Sequence, residues 1–426
     1  MNYIHYQVDH CCHHQSWAWC WGSSPSNTSY NKAPKQSLII TFPETFQRSQ
    51  DCVWNKDENY PPNPPIILDD SHEIVRPVLE GEDRIVRLAA KSKVTLACPG
   101  TKISNLDVAV VEAVCARGDL LAEWQLFELG CTEKLSESIH RDMGSCGSQD
   151  MGVIHSIGFE IFGPEDFYEL IRVCFDPKAE TTLYSENVIH GANIAAKDKD
   201  NTRPGFKSSS GFFTVSMSTI YTEKSQLNLM IDLLGDEDLA HKIIDIHKQF
   251  YLARGHMAPD ADFVTEAEQD ATYYYINAVP QWQAFNNGNW KFLEFATRDL
   301  AVKHGSDLTV YSGGWDLLEL DDINNNSVKI YLGLTEGKEV VPAPAITWKV
   351  VYEKSSKRAA AIVGVNNPHL EEPPTKLCPD LCDSLAWVNF DLNDLVHGFT
   401  YCCTVDDLRQ AVPHVPDLGD VDLLTD

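Results

Sequence analysis

The sequence predicts an α+β protein, with a small β-rich module that carries cysteines placed before a larger domain of mixed strands and helices. Three observations predict it. Residues 66–132 contain short strand-forming runs (84–88, 94–98 and 108–114) punctuated by Gly81, Gly100, Gly118 and Gly130, the pattern of strands separated by turns. Residues 225–234 and 239–250 carry a helical apolar period, whereas 308–311, 328–332, 347–352 and 359–365 return to strand character. Of 13 cysteines, ten lie beyond residue 49 at long spacings. Such scatter suits a disulfide framework in an oxidising compartment, not the paired C-x-x-C knuckles of a zinc ribbon.

A chain of 426 residues, 43% hydrophobic and 23% charged, can build two or three domains with a real core. It contains no run of about 18 apolar residues, so no helical membrane span is expected. Lys plus Arg number 34 against 62 Asp plus Glu, a formal charge of −28. Such a surface repels polyanions at long range and argues against a general nucleic-acid binder, although a charge sum does not report a local basic cleft.

The elements follow in order. Residues 1–49 are rich in Ser, Asn, His, Trp and Cys without a period and lack the basic and apolar regions of a signal peptide. They are expected to be a disordered leader, with the mature chain starting near residues 50–52; His10, Cys11, Cys12, His13 and His14 alternatively form a soft-metal tract. The β-rich module spans 50–146, and Pro61, Pro62, Pro64 and Pro65 give it an extended lead-in. Arg117-Gly118-Asp119 spells an adhesion tripeptide and reads equally as a glycine turn. Residues 144–152 (GSCGSQDMG) read as a linker to a second domain at 153–416, followed by a loose acidic tail at 417–426. In that domain 159–161 and 170–175 are strands, and 251–262 is strand and loop. Thr265 with Glu268 is a capping box opening a helix through Tyr275, and a further helix runs from Asn286 to Leu300. Asn27 and Asn325 lie in N-x-S/T sequons.

Between Arg254 and Glu294, polar residues stand where a core does not ask for them. Arg254 and His256 are two apart on an extended segment, so both project to one face. Asn286 and Glu294 are eight apart on a helix, about 80° around from each other. Asn277 and Gln281 precede them. An imidazole can take a proton from water near neutral pH, an Arg can pair with phosphate oxygens as charge builds, and a hydrated Mg²⁺ needs few protein oxygen ligands. The set suits phosphodiester hydrolysis. His256, Asn286 and Glu294 are each ordinary when taken alone; their joint spacing carries the reading. Tyr273, Tyr274 and Tyr275 either stack on bases or pack internally.

Residues 253–263 (ARGHMAPDADF) resemble the DRGH signature of the DNA/RNA non-specific endonucleases, the ββα-metal nucleases. Asn277-Ala-Val-Pro-Gln281 followed by Asn286-x-Gly288-x-Trp290-x-x-Leu293-Glu294 resembles that family's second signature, and 341–351 (VPAPAITWKVV) is similar to a later core strand. The resemblance covers roughly residues 174–411, and the layout is most similar to the secreted digestive nucleases of crustaceans, the duplex-specific type among them. It implies a ββα-metal domain with a central antiparallel sheet and flanking helices. It implies His256 as general base, Arg254 as stabiliser of the pentacovalent phosphate, Asn286 as sole protein ligand of Mg²⁺ (with Mn²⁺ able to substitute), and Glu294 as holder of the metal's waters. Asn277 and Gln281 would bind the substrate, or orient the site or the substrate. The family's usual Asp before Arg-Gly-His is Ala253 here; Asp260 or Asp262 either compensates or serves as a loop and cap acid.

The resemblance implies a secreted Mg²⁺-dependent endonuclease that leaves 5′-phosphates, prefers duplex DNA, and also takes RNA or DNA–RNA hybrids, with no membrane and no obligate protein partner. Lys197, Lys199, Arg203 and Lys207 are the candidate basic wall. The competing reading is a non-catalytic extracellular nucleic-acid-binding or adhesion protein on the same scaffold, for which Ala253 and the RGD tripeptide speak.

Overall fold

Alternation of side chains along Pro344–Glu353 organises the middle of the molecule. Trp348 and Val350 enter one apolar cluster and Val351 another, on the opposite face of the strand. The same alternation sends Thr347 and Lys349 to the Val351 face, with consequences for the site. This strand pairs antiparallel with Leu308–Leu317 on one side and Arg358–Val365 on the other. The structure, a computed structural model, describes residues 38–39, 50–116, 118–120, 126–199 and 202–426. The histidine and cysteine tract at 10–14, the sequon at Asn27 and Arg117 of the RGD tripeptide lie outside them.

The main sheet runs Ser145–Cys146, Gly152–Glu160, Phe167–Asp176, Thr181–Ile189, Leu308–Leu317, Pro344–Glu353, Arg358–Val365, Thr400–Cys403, each strand antiparallel to the next. Helices cover both faces. Trp290, Leu293 and Leu300 of the helix Asn289–His304 share one cluster with Val310, Val351 and Ile362. Leu408 of the helix Val405–Ala411 packs on the other face with Trp348, Val363 and Tyr401. The expected α+β class with a central antiparallel sheet and flanking helices is therefore present.

The front module is built from two small sheets, one holding Ile66–Leu68, Lys93–Ala97 and Val110–Ala116 and the other Cys52–Asn55, Val78–Glu80 and Asp83–Leu88. Trp54, Val86, Leu96 and Val111 fill the space between them. All ten cysteines beyond residue 49 are paired: Cys52–Cys115 and Cys98–Cys131 in the module, then Cys146–Cys174, Cys378–Cys403 and Cys382–Cys402.

Several expected elements differ. The Gly- and Ser-rich stretch 144–152 is not a free linker, because Ser145–Cys146 joins the edge of the main sheet and Cys146 is bonded to Cys174. The acidic tail is not loose: Asp422–Leu423 pairs parallel with Arg358–Val365, and Leu424 is fully buried. Leu424 does not dock alone: Leu423 packs against the same cluster, and Leu418 and Val421 pack against the one that holds Trp348. The capping box of Thr265 and Glu268 is present, yet its helix covers only Glu266–Asp270. The second helical period stops at Ile243, where the chain turns into Ile246–Lys248.

Charge pairs bind the module to the nuclease-like domain. Lys56 and Arg84 both engage the carboxylate of Asp198, which also accepts the backbone N–H of Glu266 at 2.8 Å. Arg76 meets Glu268 at 2.6 Å, both nearly fully buried. Removing one member of such a buried set strands the others without partners. Asp198→Ala is expected to lower stability by about 3 kcal/mol, read from denaturant unfolding with the disulfides intact. A change within about 0.5 kcal/mol, the range of ordinary surface substitutions, would contradict the assignment.

Candidate active site

Leu252–His256 and Ala278–Trp282 form an antiparallel ribbon in which Ala253 faces Gln281, Arg254 faces Pro280 and His256 faces Ala278. Strand alternation places Arg254 and His256 on one side and Ala253, Gly255 and Gln281 on the other. Gly255 is glycine for a steric reason: a Cβ there would lie 2.0 Å from Gln281 Oε1 and 2.6 Å from its Cγ. Gln281 is fully buried, and its Nε2 donates to Thr347 Oγ1 at 3.2 Å on the main sheet. It thus supports the ribbon from behind and does not face a substrate.

Asn277 is likewise fully buried. Its amide donates to the carbonyls of Ala258 at 2.8 Å and Thr272 at 3.0 Å, and its oxygen accepts from the Ala258 N–H at 3.0 Å. All of its polar capacity but one lone pair is spent on pinning the turn that follows His256. Both side chains are sealed from solvent, Asn277 holding the turn and Gln281 backing the ribbon.

Arg254 and His256 enter an aromatic enclosure. The Arg254 guanidinium carbon lies 5.2 Å from the Tyr221 ring and 5.7 Å from those of Phe206 and Tyr275. These faces attract the cation yet accept little directed hydrogen bonding, and Nε finds no partner among the described residues. The His256 ring lies 4.8 Å from both Phe206 and Tyr273. Its Nε2 is buried and also without a partner. Burial pushes the imidazole pKa down to about 4; the Asp260 charge acts upward and the Arg203 charge downward. Asp260 accepts the Tyr273 hydroxyl at 2.7 Å and pairs with Arg203 at 3.2 Å. Tyr273, Tyr274 and Tyr275 are all buried, so they pack and do not present their faces to bases.

Asn286 does not share a helix with Glu294. It ends the short helix Gln283–Asn286, and a second helix, Asn289–His304, begins after Gly288. The break is built by the 391–398 loop: Asn289 donates through Nδ2 to the carbonyls of Asp391 and Gly398, both at 2.7 Å. A Cβ on Gly288 would meet His397 at 2.6 Å. The Asn286 Nδ2 donates to Gln283 Oε1 at 3.2 Å, and its Oδ1 accepts none of the described hydrogen bonds.

The half-buried Glu294 carboxyl likewise takes part in none of the described hydrogen bonds. Burial pushes its pKa up to about 7 against the lowering charges of Arg298 and Lys349, while Asp262 and Asp260 push it further up. Arg298, one turn on, pairs with Asp262 at 2.8 Å. Lys349 is fully buried and donates to Ser312 Oγ at 2.7 Å. The Asp260 charge acts on both His256 and Glu294. Arg298 and Lys349 extend the set read from sequence, and Asp262, named there as a candidate compensating acid, joins them through its pair with Arg298. A lysine inside an otherwise apolar strand and a Glu–Arg pair four apart on a helix are the signals that could have found them.

For a hard divalent cation the chain offers Asn286 Oδ1 and the Glu294 carboxylate, both uncommitted. So few oxygen donors fit an ion that keeps most of its waters. In the cluster of Asp380, Cys382 and Cys402 the two cysteines are bonded to each other, and the Asp380 carboxylate is taken by Lys376 and by the backbone N–H groups of Cys382 and Cys402. Of the candidate wall, Arg203 is exposed and paired with Asp260, Lys199 is exposed, and Lys197 is half-buried beside Arg298 and the two aspartates. Lys207 is spent on Glu137.

Residues 150–408, more than half of the chain, match the DNA/RNA non-specific endonuclease family. A salivary endonuclease of Lutzomyia longipalpis is 28% identical over 382 residues, covering 88% of this chain and 84% of its own. Salivary protein Tsal1 of Glossina morsitans morsitans is 25% identical, covering 67% and 70%. The mitochondrial nuclease EXOG of Xenopus laevis is 38% identical over 173 residues, 38% of this chain and 47% of the relative. With the ribbon, the buried imidazole and the helix that carries Glu294 beside it, the chain belongs to the DNA/RNA non-specific endonuclease family.

Proposed function

We propose that the chain is a secreted, Mg²⁺-dependent endonuclease that hydrolyses phosphodiester bonds of DNA to 5′-phosphate ends, favours duplex, and also takes RNA and DNA–RNA hybrids. The observation that carries the reading is the buried Nε2 of His256, which has no hydrogen-bond partner among the described residues, on the same ribbon face as Arg254, whose Nε has none among them either. A buried imidazole with no partner is costly unless its lone pair has a task, and a neutral imidazole is the form a general base requires. Paired cysteines and the salivary relatives support secretion.

His256 Nε2 takes a proton from water as the water oxygen attacks phosphorus, the bond to the 3′-oxygen breaks, and that oxygen takes a proton from a second water to leave as the hydroxyl. Arg254 donates to the phosphate oxygens as their charge grows. Asn286 Oδ1 would hold a hydrated Mg²⁺ and Glu294 its waters. When bound, that ion supplies positive charge to the phosphate and the leaving oxygen. Asn277 and Gln281 keep the ribbon in register. Ala253 lies on the Gln281 side of the ribbon, so the missing acid takes nothing from the face shared by Arg254 and His256. A duplex is held through its phosphates, with little base readout.

Purified protein is expected to nick and linearise plasmid DNA with Mg²⁺ and not with EDTA. His256→Ala is expected to be slower by about 10²–10⁴-fold, with thermal stability retained. Intact DNA after incubation of correctly disulfide-bonded protein would favour the non-catalytic binder. The pH profile gives a second test. A proton on Glu294 competes with the metal, so at low Mg²⁺ activity falls as pH drops through about 7. Saturating Mg²⁺ moves that limb down towards about 4, where His256 gains its proton and ceases to be a base. An acid limb fixed near the ordinary imidazole value at every Mg²⁺ concentration would contradict both assignments.

A further inference from the structure

Three asparagines in a row, Asn324, Asn325 and Asn326, lie at the tip of the hairpin that joins Glu319–Asp321 to Ser327–Lys329. The base of the hairpin is anchored, with Leu318, Leu320 and Ile330 buried in the cluster that holds Val310 and Val351. Its two strands form a separate two-stranded sheet, and every residue from Ile323 to Ser327 is exposed. Asp322 closes the turn. Its N–H donates to the Asn326 carbonyl and its carbonyl accepts the Asn325 N–H, both at 2.9 Å. Its carboxylate accepts the backbone N–H groups of Asn324 and Asn326 at 2.8 Å and the Asn326 side-chain amide at 3.0 Å. The Asn324 side chain bonds to the same carboxylate.

The two outer amides are thereby held on the turn. Asn325 between them stands at φ 58°, in the left-handed region, and its side-chain amide takes part in none of the described hydrogen bonds. Left-handed backbone accounts for an asparagine at 325, since Asn tolerates it better than most residues. It does not account for the hydroxyl two positions on. Ser327 donates to Glu319 at 2.5 Å across the hairpin, and the pair is exposed, so its net worth to the fold is small. Asn325-Asn326-Ser327 is an N-x-S sequon with no proline at its middle position, the pattern read by the enzyme that attaches N-linked sugar. A glycan is bulky and polar and needs its acceptor on a surface loop. Of the three amides at this tip, the sequon falls on the one that the turn leaves in water.

We infer that Asn325 carries an N-linked glycan. Its Nδ2 forms a bond to the anomeric carbon of a lipid-linked oligosaccharide, and the bond from that carbon to the pyrophosphate oxygen breaks. The amide gives up one proton and the lipid pyrophosphate leaves. The inference rests on the secretion reading, because donor and transferase work inside the secretory pathway. It adds a polar cover to a tip that otherwise presents Ile323, 55% exposed, to solvent.

The test expresses the full chain in insect cells in two forms, one with its own N-terminus and one with an export signal added ahead of it. Tryptic peptides of the exported protein are then mapped by mass before and after a glycan-removing amidase. The peptide that contains Asn325 is expected to carry the sugar and to lose it to the amidase, which separates it from any sugar at Asn27. Ser327→Thr is expected to keep the sugar. Ser327→Ala, which leaves Asn325 and its turn in place, is expected to lose it. Exported protein whose Asn325 peptide is bare, or a sugar there that survives Ser327→Ala, overturns the inference. A chain that leaves the cell only with the added signal counts against the secretion reading, and the Asn325 peptide of that second form still decides the glycan.

Discussion

Gln281 lies across Gly255 so closely that no side chain fits between them, and that contact fixes the face on which the chemistry stands. A ribbon has two faces, and alternation assigns Arg254 and His256 to one of them only while the register is held. The register is held from behind by Gln281 bonded to Thr347, and from the end by Asn277 closing the turn after His256. Support buried behind a site gives the rigidity that positioning of a base and a phosphate-binding group demands.

Desolvation does the rest. The same burial that strips His256 of partners lowers its pKa, and the burial around Glu294 raises the carboxyl. Arg298, Lys349, Asp262 and Asp260 oppose one another around that carboxyl, so the cluster is charged yet nearly balanced. Lys197 and Lys199 flank Asp198, which Lys56 and Arg84 of the front module hold in place.

The ribbon and its two functional side chains are legible in sequence because period two is local and needs only an extended segment. The capping box at Thr265 is legible for the same reason. The break between Asn286 and Asn289 is not, because it is made by carbonyls of the 391–398 loop that no local pattern announces. Nor is the docking of the acidic tail, which depends on Leu424 finding a pocket beside Trp387. Lys349 reads as an interruption in an apolar strand, and only the folded sheet shows that it lies under Glu294 and Arg298. Asn277 and Gln281 are found by motif, but a motif gives residue identity and not which way the side chain faces; only the fold shows that both are fully buried.

Gly255→Ala tests most directly whether the site depends on that contact. The added methyl has no room, so the ribbon must shift. Activity on plasmid DNA is expected to fall by about 10²-fold while the disulfide-bonded fold persists, and Gln281→Ala in the same chain is expected to recover part of it. Full activity in Gly255→Ala would contradict the account, because the positions of Arg254 and His256 would then be set by something other than Gln281.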